Sequence, residues 1–181
     1  MSISEKTAAA ILEAASHVLA LRGEAGSMTE VASAAGVGRS TLYRHFPTRD
    51  ALLEALMQMA LTEASDRLAE AKLESVPPLE ALARVIRTIV AVGDRYIVLL
   101  EAQVPITPGA GERVVGVPLR RVLERGQADG VIRSDIDAMS LLEILGGLIV
   151  VGIRLAAAHQ RGVEETAATI QRVFVEGVGT R

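Results

Sequence analysis

Between Ser27 and Leu53 the sequence reads SMTEVASAAGVGRSTLYRHFPTRDALL, two short helical stretches separated by three residues, and this spacing constrains the chain more than any other feature. Ser27 and Glu30 stand three apart ahead of an apolar-periodic run, so the serine hydroxyl can cap the Glu30 amide while the glutamate reaches back. Gly36 follows Ala34 and Ala35 and can take the left-handed backbone that ends a helix, which makes Gly36-Val37-Gly38 the turn. Val37 is placed to plug the angle between the helices. In the second helix Leu42 and Phe46, four apart, share the inward face, and Arg39, Ser40, Thr41, Tyr43, Arg44 and His45 put donors on the other side. A helix, a tight turn and a donor-rich second helix form the layout of a DNA-reading module.

Elsewhere nearly every segment repeats apolar residues with a period near 3.6 and none sustains strict alternation, so the pattern predicts an all-α chain. Ala8, Ile11, Leu12, Ala15, Val18 and Leu19 form a stripe, ended by Gly23, that would pack across the helix-turn-helix pair to make a three-helix head. Phe46-Pro47-Thr48 breaks the chain, and Thr48 can cap a linker helix from Arg49 to about Lys72. Val76-Pro77-Pro78 is the next stop, followed by a helix up to Gly93, with Asp94 as a candidate cap for another that reaches about Val104. Pro105 to Gly111 reads as a loop. A helix from about Glu112 to Ala128 would kink or restart at Pro118, Asp135 and Asp137 favour the start of a helix that ends near Gln160, and a last helix runs from Val163 to about Gly177. The expected organisation is a DNA-binding domain over residues 1–47 and a helical body over 48–181.

A chain of 181 residues with half of them apolar and 23% charged is globular and long enough for a sizeable core. Its net charge of -3 argues against a non-specific nucleic-acid coat protein, yet from Arg39 to Arg49 there are three arginines, one histidine and no acid. There is no cysteine, so neither a disulfide nor a thiolate metal site is available. Met1 to Ala10 lacks an apolar signal core, and the longest apolar run, Ile144 to Ile153, falls short of the ~20 residues of a spanning helix, so a soluble, cytoplasmic protein without a membrane partner is expected. His17, His45 and His159 are scattered, and neither a Ser-His-Asp set nor a glycine-rich phosphate loop is visible; no enzyme, metal site or cofactor is expected.

The run AAGVGRSTLYRHFPTRDALLEAL resembles the N-terminal signature of the tetracycline-repressor (TetR) family of transcriptional regulators, and ILEAASHVLALRG resembles that family's first helix. The likeness covers roughly Thr7 to Leu56; Gly38 stands where the family usually has a serine cap. From the residues themselves, Arg39 at the exposed start of the recognition helix can donate two parallel bonds to guanine or pair with phosphate, and the Thr41 methyl can touch a thymine methyl. Ser40 is short enough to allow close approach, and Ser27 and Thr29 face the backbone from the preceding helix. The resemblance implies that Tyr43 and His45 meet phosphates beside Arg44 and that Arg49 is the cation at the head of the linker helix.

The segment EILGGLIVVGIRLAAA is apolar around nearly its whole circumference and must be covered on more than one side, so a second copy of the chain is the natural cover. Leu145, Leu148, Ile149 and Gly152, with Ile170 and Phe174 of the last helix, are the residues expected at such an interface, and two helices from each chain would form the four-helix arrangement that the family commonly uses. A twofold homodimer presents two recognition helices about 34 to 36 Å apart to double-stranded DNA, so a palindromic operator is expected. The resemblance further implies a repressor whose body binds a small effector, with Met57, Leu61, Ile86, Ile89, Val90, Tyr96, Leu100 and Val104 as candidate wall residues. Aromatics are only 2% of the chain and two of the four, Tyr43 and Phe46, belong to the head, which favours an apolar effector. The alternative is a helical protein-interaction module that keeps the head as scaffold.

Overall fold

The computed structural model describes residues 2–104 and 108–178, except the side chain of Glu24. The chain divides into two compact units, Met1–Ala60 with Arg95–Ile106, and Leu61–Asp94 with Thr107–Arg181. All regular elements among the described residues are helical.

In the first unit, α1 (Ile3–Arg22) opens on a capping box in which the Glu5 amide donates to the Ser2 hydroxyl at 3.2 Å and the Ser2 amide donates to the Glu5 carboxylate at 2.7 Å. Ile11, Ala15 and Leu19 of the expected stripe are fully buried, and Gly23 ends the helix at φ +57°. α2 (Met28–Ala34) and α3 (Arg39–His45) complete the head. The Phe46-Pro47 break precedes α4 (Arg49–Glu70), where the Thr48 hydroxyl accepts the Ala51 amide at 3.1 Å. α4 runs through the boundary between the units. The short α6 (Ile97–Glu101) also belongs here, with Ile97, Val98 and Leu99 buried where it packs on α1 and the turn Gly23–Ala25.

The second unit holds most of α5 (Pro78–Arg95) together with α7 (Val117–Ala128), α8 (Ala138–His159) and α9 (Val163–Val178). Three local expectations are corrected. α5 does not stop at Gly93 but continues to Arg95, and Asp94 is a helical residue, not a cap. The glycine serves packing instead, because a Cβ there would lie 2.3 Å from Ile153 Cδ1. Ahead of Pro118 the helix widens into a π-helical turn, Glu112–Gly116, which leads straight into α7. Proline has no N–H to return to the preceding turn, and the wider turn takes up that defect without a break. Asp137 caps α8, accepting the Ser140 amide at 3.0 Å, whereas Asp135 turns away to pair with Arg133. Of the loop expected over Pro105 to Gly111, residues 105–107 lie outside the described residues, and the chain is already helical at Ala110.

Arg125 ties the entry of α5 to α7, donating to the Leu73 and Val76 carbonyls at 2.9 Å each. Gln127 holds the loop after α7 through the Arg133 and Ile136 carbonyls at 2.9 and 2.7 Å. α8 packs between α7 and α9, burying Leu141, Leu145, Ile149, Ile153 and Ala156. By length and composition α8 is long and apolar enough to cross a membrane, which corrects the count based on Ile144 to Ile153 alone. The apolar stretch resumes beyond Arg154 with Leu155 and three alanines. Core helices of globular proteins meet the same measure, and one face of α8 is core here.

Candidate nucleic-acid interface

α2 and α3 are each seven residues long, too short to persist alone, so the head must fix them through caps and packing. At the start of α2 the expected capping box forms: the Glu30 amide donates to the Ser27 hydroxyl at 3.2 Å, and the Ser27 amide donates to the Glu30 carboxylate at 2.9 Å. Arg22 adds an ion pair to Glu30 at 3.4 Å, tying the end of α1 to α2. At the far end the Val37 amide donates to the Ala32 carbonyl at 3.0 Å and the Gly36 amide to Ser33 at 3.1 Å, a closing pattern that needs the left-handed backbone of Gly36, φ +66°. Gly38 caps α3 by backbone alone, its carbonyl accepting the Leu42 amide at 3.0 Å.

The Ser27 backbone amide, and then its hydroxyl, hold the Glu30 carboxyl below the usual carboxylate range, with Arg22 adding to the effect. A lowered folded pKa means that this stabilisation is complete above the ordinary value of 4.5 and is lost as the pH falls through the lower folded one. Protection of the Glu30 amide from exchange, corrected for intrinsic rate, is therefore expected to drop as the pH is taken below 4.5. Glu30→Gln, which has no carboxyl to titrate, should remove that dependence; a loss of protection that is the same in both proteins would refute the cap as its origin.

α3 separates its faces as expected. Leu42 is fully buried and Phe46 nearly so, while Arg39, Ser40, Tyr43 and Arg44 are exposed and Thr41 and His45 half-exposed. Among the described residues Arg39 and Arg44 form no ion pair with a carboxylate, so their charge faces outward uncompensated. Ser27 and Thr29 are also exposed. Arg49 is only half-exposed, because its guanidinium donates to the Gly26 carbonyl and ties the first turn of α4 to the approach of α2. Neither that bond nor the Arg22–Glu30 pair has a counterpart in the residue spacing.

The other nominated residues are placed differently. Of the candidate effector wall, Met57, Tyr96, Leu100 and Val104 fall in the first unit and Leu61, Ile86, Ile89 and Val90 in the second. Met57, Ile86, Val90 and Tyr96 are buried, the rest half-buried. Of the residues expected at an interface, Leu145, Ile149, Ile170 and Phe174 are buried in the chain's own core, Leu148 is half-buried, and Gly152 meets Ile170, whose Cδ1 lies 2.5 Å from where a Cβ would be. The outward apolar face of α8 consists of other residues: Ile144, Val151 and Leu155 are 52%, 55% and 51% exposed, and α9 adds Val173 at 57%. Spacings of seven and four put the three α8 residues on one side of the helix. Among the described residues no three histidine, aspartate or glutamate side chains gather as metal ligands.

A three-helix head that caps and turns in this way, with a cationic, hydroxyl-bearing second helix held outward, defines a helix-turn-helix DNA-binding protein. Residues 11–56 match the family described as bacterial regulatory proteins, tetR family. The HTH-type transcriptional regulator NfxB of Pseudomonas aeruginosa is 30% identical over 156 residues, 83% of either chain. The HTH-type transcriptional repressor LfrR of Mycolicibacterium smegmatis is 39% identical over 89 residues, 49% of this chain and 47% of that one. The chain belongs to the tetR family and is a DNA-binding transcriptional regulator. The structure of LfrR in complex with proflavine superposes with a TM-score of 0.74 at 26% identity, covering 97% of this chain and 99% of that one. CprB from S. coelicolor A3(2) superposes with a TM-score of 0.78 at 22% identity, covering 99% and 92%, a likeness of fold alone.

Proposed function

We propose that the protein is a cytoplasmic homodimeric repressor, with residues 1–47 binding a palindromic or nearly palindromic operator and residues 48–181 holding the dimer contact and a small apolar effector. The exposed face of α3 carries this reading: it offers Arg39, Ser40, Thr41 and Tyr43 to base edges or phosphates while Leu42 anchors it from behind. Arg39 is the base reader, Tyr43, Arg44 and His45 meet phosphates toward the far end of the helix, and Ser27 and Thr29 approach the backbone from α2. Arg49 adds a phosphate contact at the first turn of α4. NfxB and LfrR are transcriptional regulators, which favours a non-enzymatic role.

LfrR binds proflavine in its solved structure. Outside the head this chain has only Tyr96 and Phe174 as aromatics, and Phe174 is buried in the core, so an aliphatic effector suits it better than a flat cation. The effector must prefer a spacing of the heads that misfits the operator, because only differential affinity moves the equilibrium. The outward face of α8, with Ile144, Val151 and Leu155 beside the half-buried Leu148, supplies the dimer contact in this reading.

Fluorescence anisotropy over a salt series separates the two kinds of DNA contact. Arg39→Ala is expected to lose about 1 to 3 kcal/mol at one base pair of each half-site and little elsewhere. Arg49→Ala should weaken all sequences alike and reduce the slope of log K against log salt by about 0.9. Unchanged affinity and base preference in Arg39→Ala would overturn the base-reading role.

A further inference from the structure

We propose that Arg95 is a positioning residue for DNA binding, which ties the segment 95–104 to α1 and so fixes the frame that carries α2 and α3. The inference rests on the operator-binding reading and goes beyond it, since Arg95 lies on none of the DNA-facing elements. Its Nη2 donates to both carboxylate oxygens of Glu13 at 2.7 Å, across 82 residues of sequence. The same nitrogen lies 3.5 Å from the Ser16 hydroxyl, a polar group fully buried on α1 that donates in turn to the Glu13 carbonyl at 2.8 Å. The guanidinium also sits 5.4 Å from the centre of the Tyr96 ring.

Two features make this a tie that sets geometry and not a support for the fold. Glu13 is half exposed, and ion pairs in such settings contribute little to stability. The same nitrogen nevertheless meets α1 at two points, the Glu13 carboxylate and the buried Ser16 hydroxyl, which holds residue 95 at one place along that helix. Next to it, Ile97, Val98 and Leu99 are buried where α6 packs on α1 and the turn after it, so a shift of the segment moves α1. α1 packs on α2, and α2 on α3. Contiguous packed elements of this kind carry coupling between distant points.

Arg95→Met and Glu13→Gln, singly and together, are to be compared with the wild type on a DNA sequence selected by the wild type. Each single variant is expected to bind about tenfold more weakly, with the slope of log K against log salt unchanged. The double variant should bind no more weakly than Glu13→Gln alone, because the Arg95–Glu13 contact is already absent from that variant, which also gives up the 3.2 Å contact of Glu13 with His17 on the same helix. Wild-type affinity in Arg95→Met, additive losses, or a slope reduced by about 0.9 would overturn the proposal, the last by making Arg95 a phosphate contact. A thermal midpoint that falls in step with affinity would overturn it too, by making the residue a plain stabiliser. Amide exchange over Ile97–Glu101 reads the tie without DNA: both single variants should exchange faster there, and unchanged protection would refute the tie even if no DNA sequence were bound. Failure of the wild type to select any DNA would instead refute the operator reading.

Discussion

Val151→Asp is expected to turn the proposed dimer into monomers while leaving the fold intact. Val151 is 55% exposed on α8 between Ile144 and Leu155, so the single chain has nothing to lose by the change. In a twofold interface each substitution enters twice, near its own symmetry mate, and like charges set against each other without water cost several kcal/mol. Dimerisation should weaken at least about a hundredfold, read as mass by light scattering across a dilution series. With one head per particle, affinity for a two-half-site operator should fall by about 10² to 10⁴, since the second half-site is no longer engaged intramolecularly. Leu145→Ala is the contrast. That residue is fully buried in the chain's own core, and its truncation should cost about 2–5 kcal/mol of folding stability. A Val151→Asp protein that stays dimeric, or a Leu145→Ala protein of unchanged stability that dissociates, would reverse the assignment of the two faces.

Leu42→Ala should be the most damaging single change in the head. α3 has seven residues and a cap without a side-chain bond, so its helix exists because Leu42 and Phe46 pack inward. Leu42 is fully buried, and removing its outer carbons should cost about 2–5 kcal/mol, seen as a lower urea midpoint and faster amide exchange throughout α3. DNA binding should be lost although every DNA-facing side chain is still present. Ser40→Ala, exposed two residues earlier, should leave stability where it was. If the two variants unfolded at the same urea concentration, α3 would not depend on its anchor.

Caps, turns and short-range anchors are written within four residues of each other, so the Ser27–Glu30 box, the left-handed Gly36 and the Leu42–Phe46 pair were all legible. Gly93 was misread because its reason for being glycine is Ile153, sixty residues away, and not a local turn. The outward side of α8 was hidden for a related cause. A helix apolar on all sides declares that it needs two covers, but its own pattern does not say which face meets α7 and α9 and which remains outside. The Arg95–Glu13 tie leaves no trace in spacing at all, since an exposed glutamate on α1 looks like any solvated charge. The same limit applies to the effector wall, whose nominated residues are core-like by pattern and gain their meaning only from long-range placement.

Selection of DNA from a random pool by the purified wild-type protein tests the central claim most directly. The expected result is an enriched sequence with twofold symmetry, its half-sites about 10 to 10.5 base pairs apart or a multiple of that, in which Arg39→Ala erases the preference at one position of each half. Enrichment of no sequence, or of one without symmetry in which Arg39→Ala changes nothing, would contradict the account.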